Sequence, residues 1–198
     1  MRTTGAIIAG GKSSRMEGRE KAFLSLGGKS ILDLVIGRFE PQVDRLIINS
    51  NGDAGRFAEF SLEVIPDVLG HITTPLAGIH AALCSANEAQ SDMLITVPSD
   101  TPFLPLDLVE QLSTAARKTG AAIAASGGQE QFLIGAWRTE LLSELVTAID
   151  RDGVRRVQDW ASRVSAKPVE WPTQPYDPFF NVNTPEDLRM AEKLLRAS

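Results

Sequence analysis

The stretch "TGAIIAGGKSSRMEGREKAFLSLGGK" at residues 4–29 decides how the chain is read. A short apolar, β-branched run ends in paired glycines, and cations follow at Lys12, Arg15, Arg19, Lys21 and Lys29. The run is apolar at nearly every position, the pattern of a strand buried on both faces of a sheet. Adjacent glycines after such a strand let backbone N–H groups approach an anion, with Arg15 and Lys21 placed to neutralise it. Five cations against Glu17 and Glu20 give residues 12–29 a charge of +3, which leaves −8 for the rest of a chain at −5. A cationic spot on an acidic protein suits a small anionic ligand better than a long polyanion. The net charge of −5 argues against a general nucleic-acid or membrane-surface binder.

Outward from this stretch, similar runs recur at 5–9 (GAIIA), 45–49 (RLIIN), 62–66 (LEVIP), 93–97 (MLITV) and 121–125 (AAIAA). Helical patterns lie between them. Ser30, with Asp33 three residues on, caps one ahead of Leu34, Val35 and Phe39. Proline starts are read at 75–86 and 105–118, because the first turn of a helix tolerates a missing N–H. Thr184 caps a last helix over 184–197, with Pro185 at its first position and acids in its first turn. Strands alternating with helices predict an α/β fold, a mostly parallel sheet with helices on both faces. One domain over residues 1–198 is expected. In such a sheet, ligands bind beyond the carboxyl ends of the strands. That singles out Gly10 and Gly11, Asn49, Asp67, and Ser99 with Asp100.

Composition bounds the class. A chain of 198 residues with 43% hydrophobic and 23% charged residues is ordinary for a globular protein. No apolar run approaches the roughly 18 residues of a membrane helix, and GAIIAG is short for the apolar core of a secretory signal. The single Cys84 forms no internal disulfide and reads as core packing on its helix. A cytoplasmic protein is expected.

The opening loop fits neither common phosphate motif. GKS occurs at 11–13 and 28–30, but the earlier glycine of a Walker A loop falls at Ala6 and Phe23. The G-x-G-x-x-G spacing is missing too. The stretch IAGGKSSRMEGREK (8–21) instead resembles the L-A-G-G-x-S-x-R-M-G-x-x-D-K signature of nucleotidyltransferases with a Rossmann-like fold. With VIPD (64–67), TPLAGI (74–79), PSDTPF (98–103) and FFNVNTPEDL (179–188), the chain resembles the molybdenum cofactor guanylyltransferase family over nearly its whole length.

The resemblance implies a three-layer Rossmann-like nucleotidyltransferase fold with its nucleotide side mainly in 1–104 and its acceptor side mainly in 105–198. It implies transfer of GMP from GTP to the phosphate of molybdopterin cofactor, releasing pyrophosphate. Ile8, Ala9 and Gly10 would meet the nucleotide through their backbone, Lys21 would contact the phosphates, and Asp100 would hold Mg²⁺. Asn49, Asp67 and Gly78 would line the nucleotide pocket, and Arg15, Lys21 and Asp100 would form the catalytic set. On the acceptor side, Asn181 and Asn183 are expected to share one face of a strand and meet the pterin. Gln131 stands where the family often has histidine. GTP and molybdopterin are the expected partners, with a monomer and transient contact with molybdoenzyme-maturation proteins.

The chain departs from the family pattern at Glu17, Glu20, Thr74, Ser99 and Gln131-Phe132. The last bears on the acceptor side. Two other readings stay open: a cytidylyl- or sugar-phosphate nucleotidyltransferase, and a non-catalytic nucleotide-binding module. Gly10 together with PLAG favours guanine over cytosine, and retention of Arg15, Lys21 and Asp100 favours turnover.

Overall fold

The computed structural model describes residues 1–9, 15–16, 19–70 and 72–197, and for Arg15, Met16, Arg19, Glu20 and Ala197 the backbone alone. Seven strands form one sheet: β1 (Thr3–Ile8), β2 (Arg45–Asn49), β3 (Glu63–Ile65), β4 (Met93–Pro98), β5 (Ala121–Ser126), β6 (Gln129–Arg138) and β7 (Lys167–Trp171). Their spatial order is β7-β5-β6-β4-β1-β2-β3. All neighbours pair in parallel except around β6, which runs antiparallel to both β4 and β5. The mostly parallel α/β sheet expected from the alternation of elements is thus observed.

Among the described residues six α-helices cover the sheet: α1 (Ile31–Phe39), α2 (Pro75–Glu88), α3 (Leu108–Thr119), α4 (Leu142–Asp150), α5 (Val157–Arg163) and α6 (Pro185–Ala197). Successive strand side chains point to opposite faces, so each central strand feeds two cores. Ile7, Ile48, Ile95 and Val97 pack with Val35 and Phe39 of α1, Leu112 of α3 and Ala191 of α6. Ala6, Ile8, Ile47 and Leu94 pack on the other face with Leu76 and Leu83 of α2, Leu145 of α4 and Trp160 of α5. Burial on both faces is why these strands read as continuous apolar runs.

Local signals account for the helix starts. The Ser30 side chain accepts the Asp33 N–H at 3.0 Å, and the Asp33 carboxylate accepts the Ser30 N–H at 2.9 Å, a reciprocal cap for α1. Pro75 opens α2 and Pro185 opens α6. Pro105 does not open α3, which starts at Leu108 after a turn in which the Leu108 N–H meets the Pro105 carbonyl. Asp107 at that boundary spends its carboxylate on the Trp171 indole N–H at 3.1 Å, so tertiary packing sets where the helix begins.

Two strands and two helices add to the sequence reading. In β6 the first residues are exposed or half-exposed and only Ile134–Trp137 are buried, and Trp137 Nε1 donates to Thr96 Oγ1 at 3.0 Å across to β4. In β7, an edge strand, Pro168 is tolerated because an edge leaves N–H groups unused. The helices α4 and α5 are short and join the second core. No helix among the described residues is long and apolar enough to cross a membrane.

Candidate active site

Strands β3, β2, β1 and β4 lie side by side, so their carboxyl ends form one row. Ile8 closes β1 in register with Asn49 on one side and Pro98 on the other. Ala9 continues the chain by donating its N–H to the Asn49 carbonyl at 2.9 Å. Gly10 lies outside the described residues, as does the Arg15 side chain; the Arg15 backbone pairs with that of Glu20 in a two-stranded ribbon. That ribbon leads straight into the 3₁₀ turn Lys21–Phe23.

Lys21 is buried in this turn, and its ammonium donates to Asn183 Oδ1 at 2.7 Å. An amide oxygen fixes a lysine in place without cancelling its charge, as a carboxylate would. Asn183 is itself fixed. Its N–H and that of Thr184 donate to Asp187 Oδ2 at 3.0 and 2.8 Å, and the Asp187 N–H donates to Thr184 Oγ1 at 3.1 Å. This is the cap of α6, so the helix start expected at Thr184 also serves the lysine. Burial works against the Asp187 charge, but the N–H groups of Asn183 and Thr184, with Lys21, hold its carboxyl below the usual range.

Asp100 sits two residues beyond β4, and its carbonyl accepts the Val182 N–H at 2.9 Å. Beside it the buried Thr101 hydroxyl donates to Asn181 Oδ1. The segment 181–183 is therefore no strand: it crosses the end of β4 on one backbone bond and two amide contacts. Asn181 and Asn183 both face the Lys21–Asp100 end, but through different partners and not by strand periodicity. Burial pushes the Asp100 carboxyl above its ordinary range, and Lys21 pulls the other way without restoring it. A carboxylate in such a setting keeps its charge only where a cation lies near, and otherwise takes up a proton more readily than in water.

At the far end of the row, Asp67 follows β3. Asn49 Nδ2 donates to Asp67 Oδ1 at 3.0 Å and to the Ile65 carbonyl at 3.3 Å. Asn51 Nδ2 donates to Asp67 Oδ2 at 2.8 Å, and its Oδ1 accepts the Asp67 N–H at 2.9 Å. Gly78 of α2 lies directly over Asn49: a Cβ there would meet Asn49 Oδ1 at 2.3 Å, its Cγ at 3.1 Å and Ile8 Cγ2 at 3.3 Å. Glycine is required for this close approach. Gly78→Ala should destabilise the fold by about 1–3 kcal/mol, as overpacking does, and displace Asn49. A thermal midpoint and a GTP affinity both at the parental level would refute it.

Gln131 reaches the same edge of the sheet. Gly135 of β6 pairs with Thr96, so the residues before it run on past the end of β4, and Gln131 pairs with Ala124 ahead of a bulge. His80 of α2 is buried, its ring pushed below the ordinary range by burial against the pull of Asp150 and Asp67. Its Nε2 lies 3.8 Å from Cys84 Sγ. Cys84 is half-buried beside this ring, not part of the apolar core expected for it. Among the described residues no three His, Cys, Asp or Glu side chains form a ready metal cluster.

The sequence reading passed over Asn51, Thr101 and Asp187 as site residues. Asn51 had a legible signal, standing two residues beyond Asn49 at the end of an apolar strand. Thr101 had none, because its partner Asn181 is 80 residues away.

A parallel α/β sheet whose strand ends gather a buried lysine, a desolvated carboxylate and an asparagine-held carboxylate has the arrangement of a nucleotidyltransferase. The chain belongs to the MobA-like NTP transferase domain family, which it matches over residues 5–165. A molybdenum cofactor guanylyltransferase of Nitrobacter hamburgensis is 43% identical over 196 residues, covering 97% of this chain and 94% of that one. The crystal structure of molybdopterin-guanine dinucleotide biosynthesis protein A from Archaeoglobus fulgidus is 26% identical, covers 98% of this chain and 100% of its own, and superposes with a TM-score of 0.73. A 4-diphosphocytidyl-2C-methyl-D-erythritol synthase from Anaerococcus prevotii shares the fold at a TM-score of 0.77 and 16% identity, over 98% of this chain and 96% of that one.

Proposed function

We propose that the chain transfers GMP from GTP to the phosphate of molybdopterin cofactor, releasing pyrophosphate and forming the guanine dinucleotide. The observation that carries this is the separation of two unlike ends along one row of strands. Asp67 lies at one end and the Lys21–Asp100 pair at the other. Three strand spacings part β3 from β4, about 14 Å at the usual spacing, enough to lay out a nucleotide with its nucleoside at Asp67 and its phosphates at Lys21. Family membership and the guanylyltransferase relatives support the reading.

In the reaction an oxygen of the acceptor phosphate attacks the α-phosphorus of GTP, and the bond to pyrophosphate breaks. Two anions meet, so the work of the protein is to screen charge and align groups. Lys21, held by a neutral amide, keeps its full charge for the outer phosphates. Arg15 and the backbone of Ile8, Ala9 and Gly10 would complete the cradle. Mg²⁺, when bound, supplies positive charge to the reacting phosphates and the departing pyrophosphate. Asp100 fits the role of holding it: a single half-buried carboxylate shared with phosphate oxygens is the donor set this ion favours.

The acceptor would approach across residues 105–198, from the side of Asn181, Asn183 and Gln131. The Asn183 oxygen is occupied by Lys21, so its amino group is the end it would offer to a pterin acceptor atom. The test is direct. Purified protein with GTP, Mg²⁺ and molybdopterin should release pyrophosphate and yield the guanine dinucleotide. In thermal shift with GTP, CTP, ATP and UTP, GTP should raise the midpoint most, since ligand at about 100 times its Kd adds about 2.7 kcal/mol. A larger shift with CTP would turn the assignment to cytidylyl transfer, and binding without turnover to a nucleotide-binding module.

A further inference from the structure

The hydrogen bonds around Asp67 form a closed set. Asn49 is 1% exposed, and both hydrogens of its amide are used, one on Asp67 Oδ1 and one on the Ile65 carbonyl. Its oxygen is roofed by Gly78. Neither end of this side chain is presented to a ligand. Asn51 grips the other carboxylate oxygen and, through its own oxygen, the Asp67 N–H.

The two loops are laced together behind this grip. The Ser50 N–H donates to the Ile65 carbonyl at 2.9 Å. The Arg56 guanidinium donates to the Asn51 carbonyl at 3.2 Å and to the Ser50 hydroxyl. Asp67 is half-exposed and Asn51 exposed, so both stand within a ligand's reach; Asn51, whose amino group and oxygen are each engaged by Asp67, takes the supporting part.

We infer that Asn51, together with Asn49, is a positioning residue that fixes the Asp67 carboxylate for the nucleoside, Asn49 acting through Asp67 and not by touching the nucleotide. This rests on the nucleotide-binding reading above. A free aspartate carboxylate rotates broadly about its last torsion. Here each oxygen accepts one amide N–H, which sets the plane of the group and leaves each with acceptor capacity for a donor of the ligand. The ordering is complete before GTP arrives, so binding does not bear its cost.

A double-mutant cycle on GTP affinity, measured by calorimetry in Mg²⁺ buffer on the full chain, tests the assignment. Asp67→Ala and Asn51→Ala should each weaken GTP about tenfold, the scale of one well-placed hydrogen bond to a charged group. The double variant should bind no more weakly than Asp67→Ala alone, because Asn51 has nothing left to orient. Asn51→Asp keeps the acceptor for the Asp67 N–H but sets a second carboxylate against Oδ2. It should lose more than Asn51→Ala in the parent and nothing further beside Asp67→Ala.

Equal losses from Asn51→Ala in both backgrounds would make it a loop brace and overturn the inference. So would a lowered thermal midpoint with GTP affinity intact, or an Asp67→Ala variant that binds GTP like the parent. A parent that binds no GTP would instead remove the proposed function itself.

Discussion

Asp100→Asn is expected to cut GMP transfer by about 10²–10³-fold, the loss typical when one preorganised electrostatic group at a reacting centre is removed, while making the ligand-free protein more stable. The two effects have one cause. Burial holds the Asp100 carboxyl above its ordinary value of 3.8 in the folded chain. The folded state therefore disfavours the charged form relative to the unfolded state. The penalty is present at neutral pH and fades as pH falls to where the unfolded carboxyl is also protonated. Asparagine keeps the shape and removes the charge, so the variant's thermal midpoint should exceed the parent's at pH 7, with the gap closing in acid. Mg²⁺ with GTP should then stabilise the parent far more than the variant. Transfer near the parental rate across a Mg²⁺ titration would discard Asp100 as the ligand.

Lys21→Ala carries the second large effect. The ammonium is proposed to meet the outer phosphates, so GTP should lose affinity and GMP should not. A charge-assisted hydrogen bond is worth about 1.5–3 kcal/mol, which corresponds to about a tenfold or larger rise in the Kd for GTP. Removing the lysine also takes away the cation that opposes the burial of Asp100, so turnover should fall with affinity. Calorimetry with GTP and GMP on the folded variant decides the point. Equal losses for the two nucleotides would move Lys21 off the outer phosphates.

The central strands and most helix starts were legible because their causes are local. Strands β1, β2, β4 and β5 are buried on both faces, so their apolar runs stand out in any window of five or six residues. Ser30 with Asp33, and Thr184 with Pro185 and Asp187, are capping patterns that span only four residues. The edge strand β7 and the half-exposed start of β6 carry no such run, since one face or one end meets water. The first turn of α3 shows the limit of local reading: Pro105 invites a helix there, but Asp107 is drawn to Trp171, and the helix waits until Leu108.

The candidate site divides the same way. The glycine loop, Asn49, Asp67 and Asp100 were set out by the sequence itself, because strand ends in a parallel sheet are where ligands gather. The two late asparagines were expected from a strand period that the segment does not have. Their pairings were decided by the tertiary structure alone. Lys21 meets Asn183 across 162 residues and Thr101 meets Asn181 across 80, and chain separations of that size leave no periodicity to read. Strand order β3-β2-β1-β4 brings Asp67 and Asp100 to opposite ends of one row. Sequence determines which polar groups must be satisfied once buried; only the packed sheet determines which partner satisfies each, and so which of them remain for a ligand.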